Sequence, residues 1–458
     1  MERYGIGIPV RNVPPLDPGF FPLGKYNEAF LRTARQPFGI AVEGTAGQVS
    51  VWETRVHGAP EMRGADLFYL ERLVKTLLWM RGGWRVSLRG EETLCGEIVR
   101  AYAPKGARAF DAGFMADVYE RPFEVVRCGT LPSERRSPRA VGRHLEGCRI
   151  GFDAGGSDRK VSAVVDGTPV FSEEVVWSPK THADPAYHYD GIVSALGAAA
   201  AKLPRVDAVG VSSAGIYIGN RTMVASLFRK VPRDAFDAQV KDIYLRAAKT
   251  LGDVPVAVCN DGDVSALAGA MSLGENNILG LAMGTSEAAG FVDAGGNITG
   301  GLNELAFVPV DAGPDAPVDD WSLDTGVGAQ YFSQEAVIRL APAAGISLAP
   351  ELQPAEKLLE VQRLMERGDA GAEKIYRSIG VYLGHALAFY HGFYGFRHAL
   401  LLGRVMSGAG GAVVLEAAEA VLKDEYPAAA EKIVPVLPDE KARRVGQSVA
   451  AASLPEVP

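Results

Sequence analysis

Cysteine is scarce in this chain: 4 residues in 458, at Cys95, Cys128, Cys148 and Cys259. No C-x-x-C pair occurs among them, so neither a zinc ribbon nor a disulfide framework is expected. Long apolar runs are missing too. None approaches the roughly 20 residues that span a bilayer. The start, Met1-Glu2-Arg3-Tyr4, lacks the charged-then-apolar pattern of a secretory signal. Together these absences fit a reducing cytoplasm. Positive charge is also in deficit, with 47 Lys and Arg against 55 Asp and Glu and a formal net charge of -8. That balance argues against a general nucleic-acid or membrane-surface binder. The main basic cluster, Arg135, Arg136, Arg139 and Arg143, is interleaved with Ser137 and Pro138 and not with aromatics. It reads as a solvated linker.

What remains is ordinary globular composition, 47% hydrophobic and 22% charged, on a chain long enough for two or three domains. Residues 1–37 are rich in Pro and Gly and are expected to form an extended arm pinned by Phe20 and Phe21. Residues 38–130 read as an N-terminal α/β domain. Gly39–Glu43 and Gln48–Val56 form a hairpin signal around Gly44-Thr45-Ala46-Gly47. A helix is expected over Asp66–Trp79, stopped by Gly82-Gly83. The strands Trp84–Leu88 and Phe123–Val126 and two shorter helices complete the unit. Residues 131–146 are a linker. From 147 to 455 strands and helices alternate. Helices are expected over Gln239–Thr250 and Val413–Leu422, and Gly446–Leu454 reads as a small-residue helix suited to close packing.

Two glycine turns carry chemical information. Asp153-Ala154-Gly155-Gly156-Ser157 follows the apolar run Arg149–Phe152 and precedes Val161–Val165. Gly284-Thr285-Ser286 follows Ile278–Met283 and precedes Gly290–Val292. Hairpin turns of this kind let backbone N–H groups and a hydroxyl approach phosphate oxygens, because glycine has no Cβ in the way. Between them Pro255–Val258 is a strand carrying Asn260-Asp261. Two phosphate turns and one isolated acid point to a cleft where a nucleotide meets a hydroxyl substrate.

These residues resemble motifs of the ROK family of sugar kinases and sugar-responsive regulators, over about two-thirds of the chain. Asp153-Ala154-Gly155-Gly156-Ser157 is similar to that family's Asp-x-Gly-Gly-Thr phosphate motif. Gly210-Val211-Ser212-Ser213-Ala214-Gly215 is similar to its Gly-x-x-x-Pro-Gly substrate strand. Asn260-Asp261 matches its Asn-Asp pair, and Gly284-Thr285-Ser286 its second phosphate turn. Gly301-Leu302-Asn303-Glu304 resembles Gly-x-Gly-Glu, and Gly403–Gly411 the adenosine loop. The resemblance implies an α/β, two-lobed actin-like ATPase fold (ribonuclease H-like) with an added N-terminal α/β domain. It implies an ATP-dependent, glucokinase-like phosphotransferase acting on a sugar or polyol hydroxyl. Asp261 would be the catalytic base. Asn260, Glu304, Gln330 and Ser213 would bind substrate. Asp153, Gly155, Gly156, Ser157, Gly284, Thr285, Ser286, Gly403 and Gly408 would bind the nucleotide, with Asp153 facing Mg²⁺ through water. The partner is a small carbohydrate; a homodimer is compatible, and membrane and nucleic-acid partners are not expected.

The departures from the pattern bear on function. Phe307 stands where the family has a histidine. Trp321–Gln330 stands where its cysteine-rich zinc motif belongs, with Gln330 in place of a sugar-binding Glu, so zinc is not expected. Arg404 and Val405 replace glycines of the adenosine loop. Glu287 follows the second phosphate turn. A carboxylate about 5 Å from a triphosphate costs on the order of 1–3 kcal/mol. Glu287 is therefore expected to point away, to pair with Arg159 or Lys160, or to weaken ATP binding. These changes support an alternative: a non-catalytic carbohydrate sensor or scaffold that kept the fold.

Simpler readings stand beside each assignment. Asp261 could cap the helix beginning near Val264, although Asp263 fits that cap better. Ser157 and Thr285 could bond their own turns. His385 and His391 read as core or interface side chains, as does the aromatic run Phe389–Phe396. His182 and His188, flanking Tyr187, lie in a polar loop.

Overall fold

The computed structural model describes residues 1–135, 141–438 and 440–457. The chain forms two compact units, neither continuous in sequence. The first comprises Met1–Ser137, Leu281–Ala289 and Gly301–Leu437; the second comprises Pro138–Gly280, Gly290–Gly300 and Pro438–Pro458. Among the described residues no helix is long and apolar enough to cross a membrane.

The second unit is built on a five-stranded sheet. Its order is Val256–Asn260, Ala208–Ser213, Cys148–Ala154, Asp158–Val165, Thr168–Val176. The first three strands run parallel and the last two are added antiparallel. Cys148–Ala154 and Ala208–Ser213 are buried along their whole length, as apolar strands of a parallel sheet covered on both faces are. Ile150, Phe152, Val211, Ile192, Leu196 and Tyr244 meet in the core. Asp184 caps the helix Pro185–Ala200 by accepting from Ala186 N–H. The small-residue tail is the helix Glu440–Ala452, packed on the two buried strands. A Cβ at Gly151 or Gly210 would run into the carbonyl oxygens of Ser448 and Ala451, so glycine sets how closely helix and sheet approach. The helix expected over Gln239–Thr250 is instead a π turn, Phe236–Val240, followed by Ile243–Lys249.

The first unit contains the N-terminal α/β region. Its sheet has the order Val49–Val56, Gln36–Glu43, Arg85–Arg89, Glu124–Arg127. The hairpin is paired from Gln36↔Val56 to Glu43↔Val49. The helix after it is longer than expected, Arg63–Arg81. The arm is not extended throughout: Leu23–Thr33 is a helix burying Leu23, Tyr26, Asn27 and Phe30. That helical spacing is masked in the sequence by the flanking prolines. Phe20 and Phe21 are buried, as their anchoring role requires. A second sheet has the order Glu287–Val292, Ile278–Met283, His398–Leu402, Val434–Val436. The chain passes from unit to unit within its first two strands. Ala370–Tyr394 packs closely on Ala409–Glu425, which starts earlier than the expected Val413. A Cβ at Gly380 would come 2.6 Å from Val414 O, and one at Gly384 2.7 Å from Ala418 O.

A buried ionic network ties the N-terminal region to the loop at 319–325 within this unit. Asp324 pairs with Arg72 at 3.1 Å, Lys75 at 3.2 Å and Arg108 at 2.6 Å. Lys75 also pairs with Asp111 at 2.7 Å, and Arg72 with Glu71 at 2.6 Å. Arg108 pairs with Glu71. Three cations face three carboxylates, so no charge is left uncompensated in a low-dielectric site. Of the basic cluster, Arg136 and Arg139 lie outside the described residues. Arg135 bridges to Val49, and Arg143 N–H donates to Ser453 Oγ.

Candidate active site

In the second unit, three parallel strands end side by side. Their register sets Ser212 opposite both Asp153 and Cys259, and Ser213 opposite Asn260. Ligands of open α/β sheets bind outside such carboxyl ends. Asp153 is buried there, and Ser212 Oγ donates to its Oδ1 at 2.8 Å. Gln447 Nε2 donates to Ser212 Oγ at 3.2 Å and Asp153 Oδ1 at 3.4 Å. Burial pushes the Asp153 carboxyl up to about 6; the Ser212 bond and Lys160 oppose that, and the charge of Asp261 adds to it.

Asp261 is the first residue of the helix Asp261–Leu273 and is partly buried. Burial raises its carboxyl above the usual aspartate value, against hydrogen bonding by Gly262 N–H and the nearby Lys180 ammonium. The helix is capped by Asn260, whose Oδ1 accepts from Gly262 N–H at 2.7 Å. Asp263 is not the cap. Its carboxylate accepts from Phe291 N–H at 3.1 Å, reaching out of the helix to a strand. Asp261 is thus free of the capping role. Asn260 Nδ2 donates to Gly215 O at 2.7 Å, so both ends of that side chain hold local structure. Ser213 is fully buried and its hydroxyl bonds Tyr244 and Tyr217, each at 2.7 Å.

The first glycine turn sits beside these acids. Trp177 Nε1 donates to Gly155 O at 2.8 Å. Gly156 and Ser157 are exposed, and Ser157 Oγ donates to Asp158 Oδ2 at 3.1 Å. A Cβ on Gly156 would lie 3.0 Å from Lys180 Nζ. Lys180 therefore lies next to the turn and also draws on Asp261. Lys180 and Gln447 were not among the residues singled out from the sequence, and Ser212 stood only as a member of the motif Gly210–Gly215, without a role of its own. Lys180 is a lone lysine in a loop, and Gln447 joins the site only through the tail helix.

The first unit carries the remaining candidates. Gly284 N–H donates to Ser286 O at 3.0 Å, and Gly284 O accepts from Gln334 N–H at 2.9 Å. Thr285 and Ser286 are exposed at this turn. A Cβ on Gly284 would meet nothing nearer than Ser286 O at 3.8 Å. Gly408, at φ 68°, is exposed at the start of Ala409–Glu425. Gly403, at φ 94°, lies hard against the Met283 backbone and serves packing. Arg404 is exposed and its carbonyl accepts from Gln362 Nε2; Val405 is buried. Glu304 precedes the turn Leu305–Phe307 and Gln330 ends the turn Gly328–Gln330; both are partly exposed.

Phe307 is buried in an aromatic group drawn largely from the N-terminal region. It stacks on Trp79 with centroids 4.2 Å apart and also contacts Phe110, Phe114 and Trp321. Glu287 turns into the interior of the first unit, toward Gly328. Neither carboxyl oxygen has a hydrogen-bond partner among the described residues. Burial, and then the charge of Glu304, raise this carboxyl well above the usual range. Of the expected alternatives it points away. Lys160 pairs with Asp158 at 3.0 Å, and Arg159 lies over the Trp177 ring.

His182, His188 and His385 contact protein groups within their own units. His188 is fully buried with its ring nitrogens near Asp184 O and Pro179 O. His182 stacks on Tyr187. His385 bonds Tyr426 OH at 2.8 Å, and burial drives it down to about 4. Tyr390, Tyr394 and Phe396 are buried.

Each unit, taken by itself, carries one turn with exposed groups: Ser157 beside Gly156 in the second, and Thr285 and Ser286 beside Gly284 in the first. Among the described residues no group of three or more His, Cys, Asp or Glu could hold a metal ion. A divalent cation would take most of its ligands from phosphate and water, as Mg²⁺ commonly does, with Asp153 as the nearby carboxylate.

No protein-family model and no curated protein matches the chain. Solved structures do. A ROK hexokinase from Thermus thermophilus is 20% identical, with a TM-score of 0.50 over 66% of this chain and 97% of that one. A ROK family transcriptional regulator, described as a homologue of the E. coli MLC protein, is 15% identical, with a TM-score of 0.52 over 79% of this chain and 87% of that one. The chain is a mixed α/β protein with the actin-like ATPase fold of the ROK proteins.

Proposed function

We propose that this chain is an ATP-dependent phosphotransferase acting on a hydroxyl of a sugar or polyol. One observation carries the reading. Asp261 stands at the end of a parallel strand with a raised carboxyl, while Asn260 does the capping that would otherwise explain it. A base with a pKa closer to the working pH transfers protons more effectively. The fold similarity to a hexokinase is consistent with this class of chemistry.

Phosphoryl transfer needs mainly positioning and charge neutralisation. Asp261 would orient the substrate hydroxyl and accept its proton. Lys180, beside Gly156, would offset charge at the first turn and hold Asp261 toward its ionised form. Ser212 and Gln447 would fix the Asp153 carboxyl. In the second unit Gly155, Gly156 and Ser157 would bind nucleotide phosphate, and in the first unit Gly284, Thr285 and Ser286 would form a nucleotide-binding turn. Mg²⁺ on its phosphates would supply charge neutralisation near Asp153. Glu304 and Gln330 would meet substrate hydroxyls. Asn260 and Ser213 would shape the site, since their polar atoms already bond protein groups.

The second reading is a carbohydrate sensor without turnover. Phe307, committed to aromatic packing, favours it by removing an imidazole from the expected sugar site. ADP release from Mg-ATP over hexoses, amino sugars, pentoses and inositols, with Asp261→Asn as control, decides between them. Turnover on one substrate that falls at least 100-fold in the variant supports the kinase. Sugar binding with no turnover in a folded protein supports the sensor.

A further inference from the structure

Outside the groups described above, the first unit brings a hydroxyl, an imidazole and a carboxylate into line. Thr33 ends the helix Leu23–Thr33, His57 follows the strand Val49–Val56, and Asp66 lies in the first turn of the helix Arg63–Arg81. Thr33 Oγ1 is 2.8 Å from His57 Nε2, and His57 Nδ1 is 3.0 Å from Asp66 Oδ1. Both distances are those of a nucleophile bonded to a base that a third group orients.

An acid in the first turn of a helix ordinarily serves that helix's own N–H groups and dipole. The bonds of Asp66, which is 1% exposed, go elsewhere. Its Oδ1 accepts from His57 N–H and its Oδ2 from Gly58 N–H, each at 2.8 Å. Gly58, at φ 74°, turns the chain so that successive N–H groups face one carboxylate. A carboxylate only accepts, so the proton of a neutral His57 ring sits on Nδ1 and Nε2 is left as an acceptor. Thr33 O–H then donates to Nε2, since its alternative, Phe30 O, is farther at 3.3 Å. Phe30 meets the imidazole edge-on at 4.6 Å and stacks on Tyr69 at 4.2 Å, which fixes the ring plane. The His57 side chain is 10% exposed whereas Thr33 is exposed, so the base is sheltered and the hydroxyl is open to a ligand. Arg35 Nη1 donates to Ala34 O at 2.8 Å, which holds a cation close to Thr33 along the chain.

We propose that Thr33 is a covalent acylation site, taking the acyl group of an activated ester. A bond forms from Thr33 Oγ1 to the ester carbonyl carbon as His57 Nε2 takes the hydroxyl proton. The bond from that carbon to the leaving oxygen breaks, and Nε2 returns the proton to the departing alcohol. Asp66 is a positioning residue that holds the Nδ1–H tautomer and offsets the imidazolium charge. The Arg35 cation favours the oxyanion that develops between the two steps. The site does not depend on the kinase reading.

The full-length protein treated with 4-nitrophenyl acetate tests this, followed by phenolate release, intact mass and peptide mapping. A stoichiometric burst and an acetyl group on Thr33, removed by hydroxylamine as esters are, are expected. Thr33→Val should abolish the burst, and His57→Gln should slow it by about 100-fold or more. Nitrogen NMR shifts of neutral His57 should place its proton on Nδ1, and Asp66→Ala should move it toward Nε2. Acetylation confined to lysines, or an acetyl-Thr33 that forms at the native rate in His57→Gln, overturns the proposal. A proton found on Nε2 of the native ring, or one that stays on Nδ1 in Asp66→Ala, overturns it too. If Asp66→Ala does not fold, the native tautomer, Thr33→Val and His57→Gln still decide the matter.

Discussion

Replacing Glu287 by Gln should make the protein more stable at neutral and alkaline pH, and the gain should grow with pH. Both carboxyl oxygens are buried without a hydrogen-bond partner among the described residues, and burial with the nearby Glu304 charge holds the acid well above its ordinary value of 4.5. The folded chain therefore keeps a proton that the unfolded chain releases once pH exceeds that value. Stability associated with this proton is fully present below the unfolded pKa. It is lost as pH rises toward the folded one, at a slope of about 1.4 kcal/mol per pH unit. The amide introduced by Glu287→Gln has no such proton to lose and nearly the same volume. Asp153 and Asp311, each pushed up to about 6, contribute slopes of the same sign between 3.8 and about 6. They are common to both proteins and cancel in the difference. Urea unfolding from pH 5 to 8, followed by circular dichroism, gives the comparison. The native protein and Glu287→Gln should lie within about 1 kcal/mol at pH 5, because two polar atoms stay unpaired in both. Their difference should widen in favour of the variant as pH rises. Parallel curves, or a variant that weakens with pH, would refute the reasoning. Because the acid is turned inward and its pKa is raised, the same substitution should change ATP affinity less than threefold at pH 7, measured by calorimetry.

Asp324→Asn leaves Arg72, Lys75 and Arg108 facing too little negative charge in a buried site. It should cost about 3–5 kcal/mol, read as a lower unfolding midpoint. Gly210→Ala forces a methyl group against the Ala451 carbonyl. It should destabilise the second unit by at least about 1–3 kcal/mol, seen as faster hydrogen exchange in the strand Ala208–Ser213. Lys180→Met removes a cation that favours ionised Asp261. In an active enzyme the acid limb of the kcat/KM profile should move to higher pH; an unmoved limb would separate Lys180 from the base.

The sequence by itself determined the elements and the order of the motifs. The strands Cys148–Ala154 and Ala208–Ser213 are legible because the runs Arg149–Phe152 and Asp207–Ser212 are short, largely apolar and followed by small residues. The small-residue tail is legible because glycines and alanines announce a close approach. The turns at Gly155 and Gly284 are legible because backbone freedom and a hydroxyl coincide there. The helix Leu23–Thr33 was hidden by surrounding prolines, and the capping role passed from Asp263 to Asn260, which local spacing could not distinguish.

Only the tertiary structure decided what each polar side chain faces. Asp153 acquires Ser212 and Gln447 from segments far away in sequence. Lys180 comes to the first turn from a loop with no signature. Burial and the nearby Glu304 charge shift Glu287 toward its neutral form. Phe307 looked like a lost ligand and is a packing residue because Trp79, Phe110 and Phe114 surround it. Local chain preference and periodicity act over a few residues and are written in sequence. Desolvation and hydrogen-bond pairing depend on neighbours that only folding brings together.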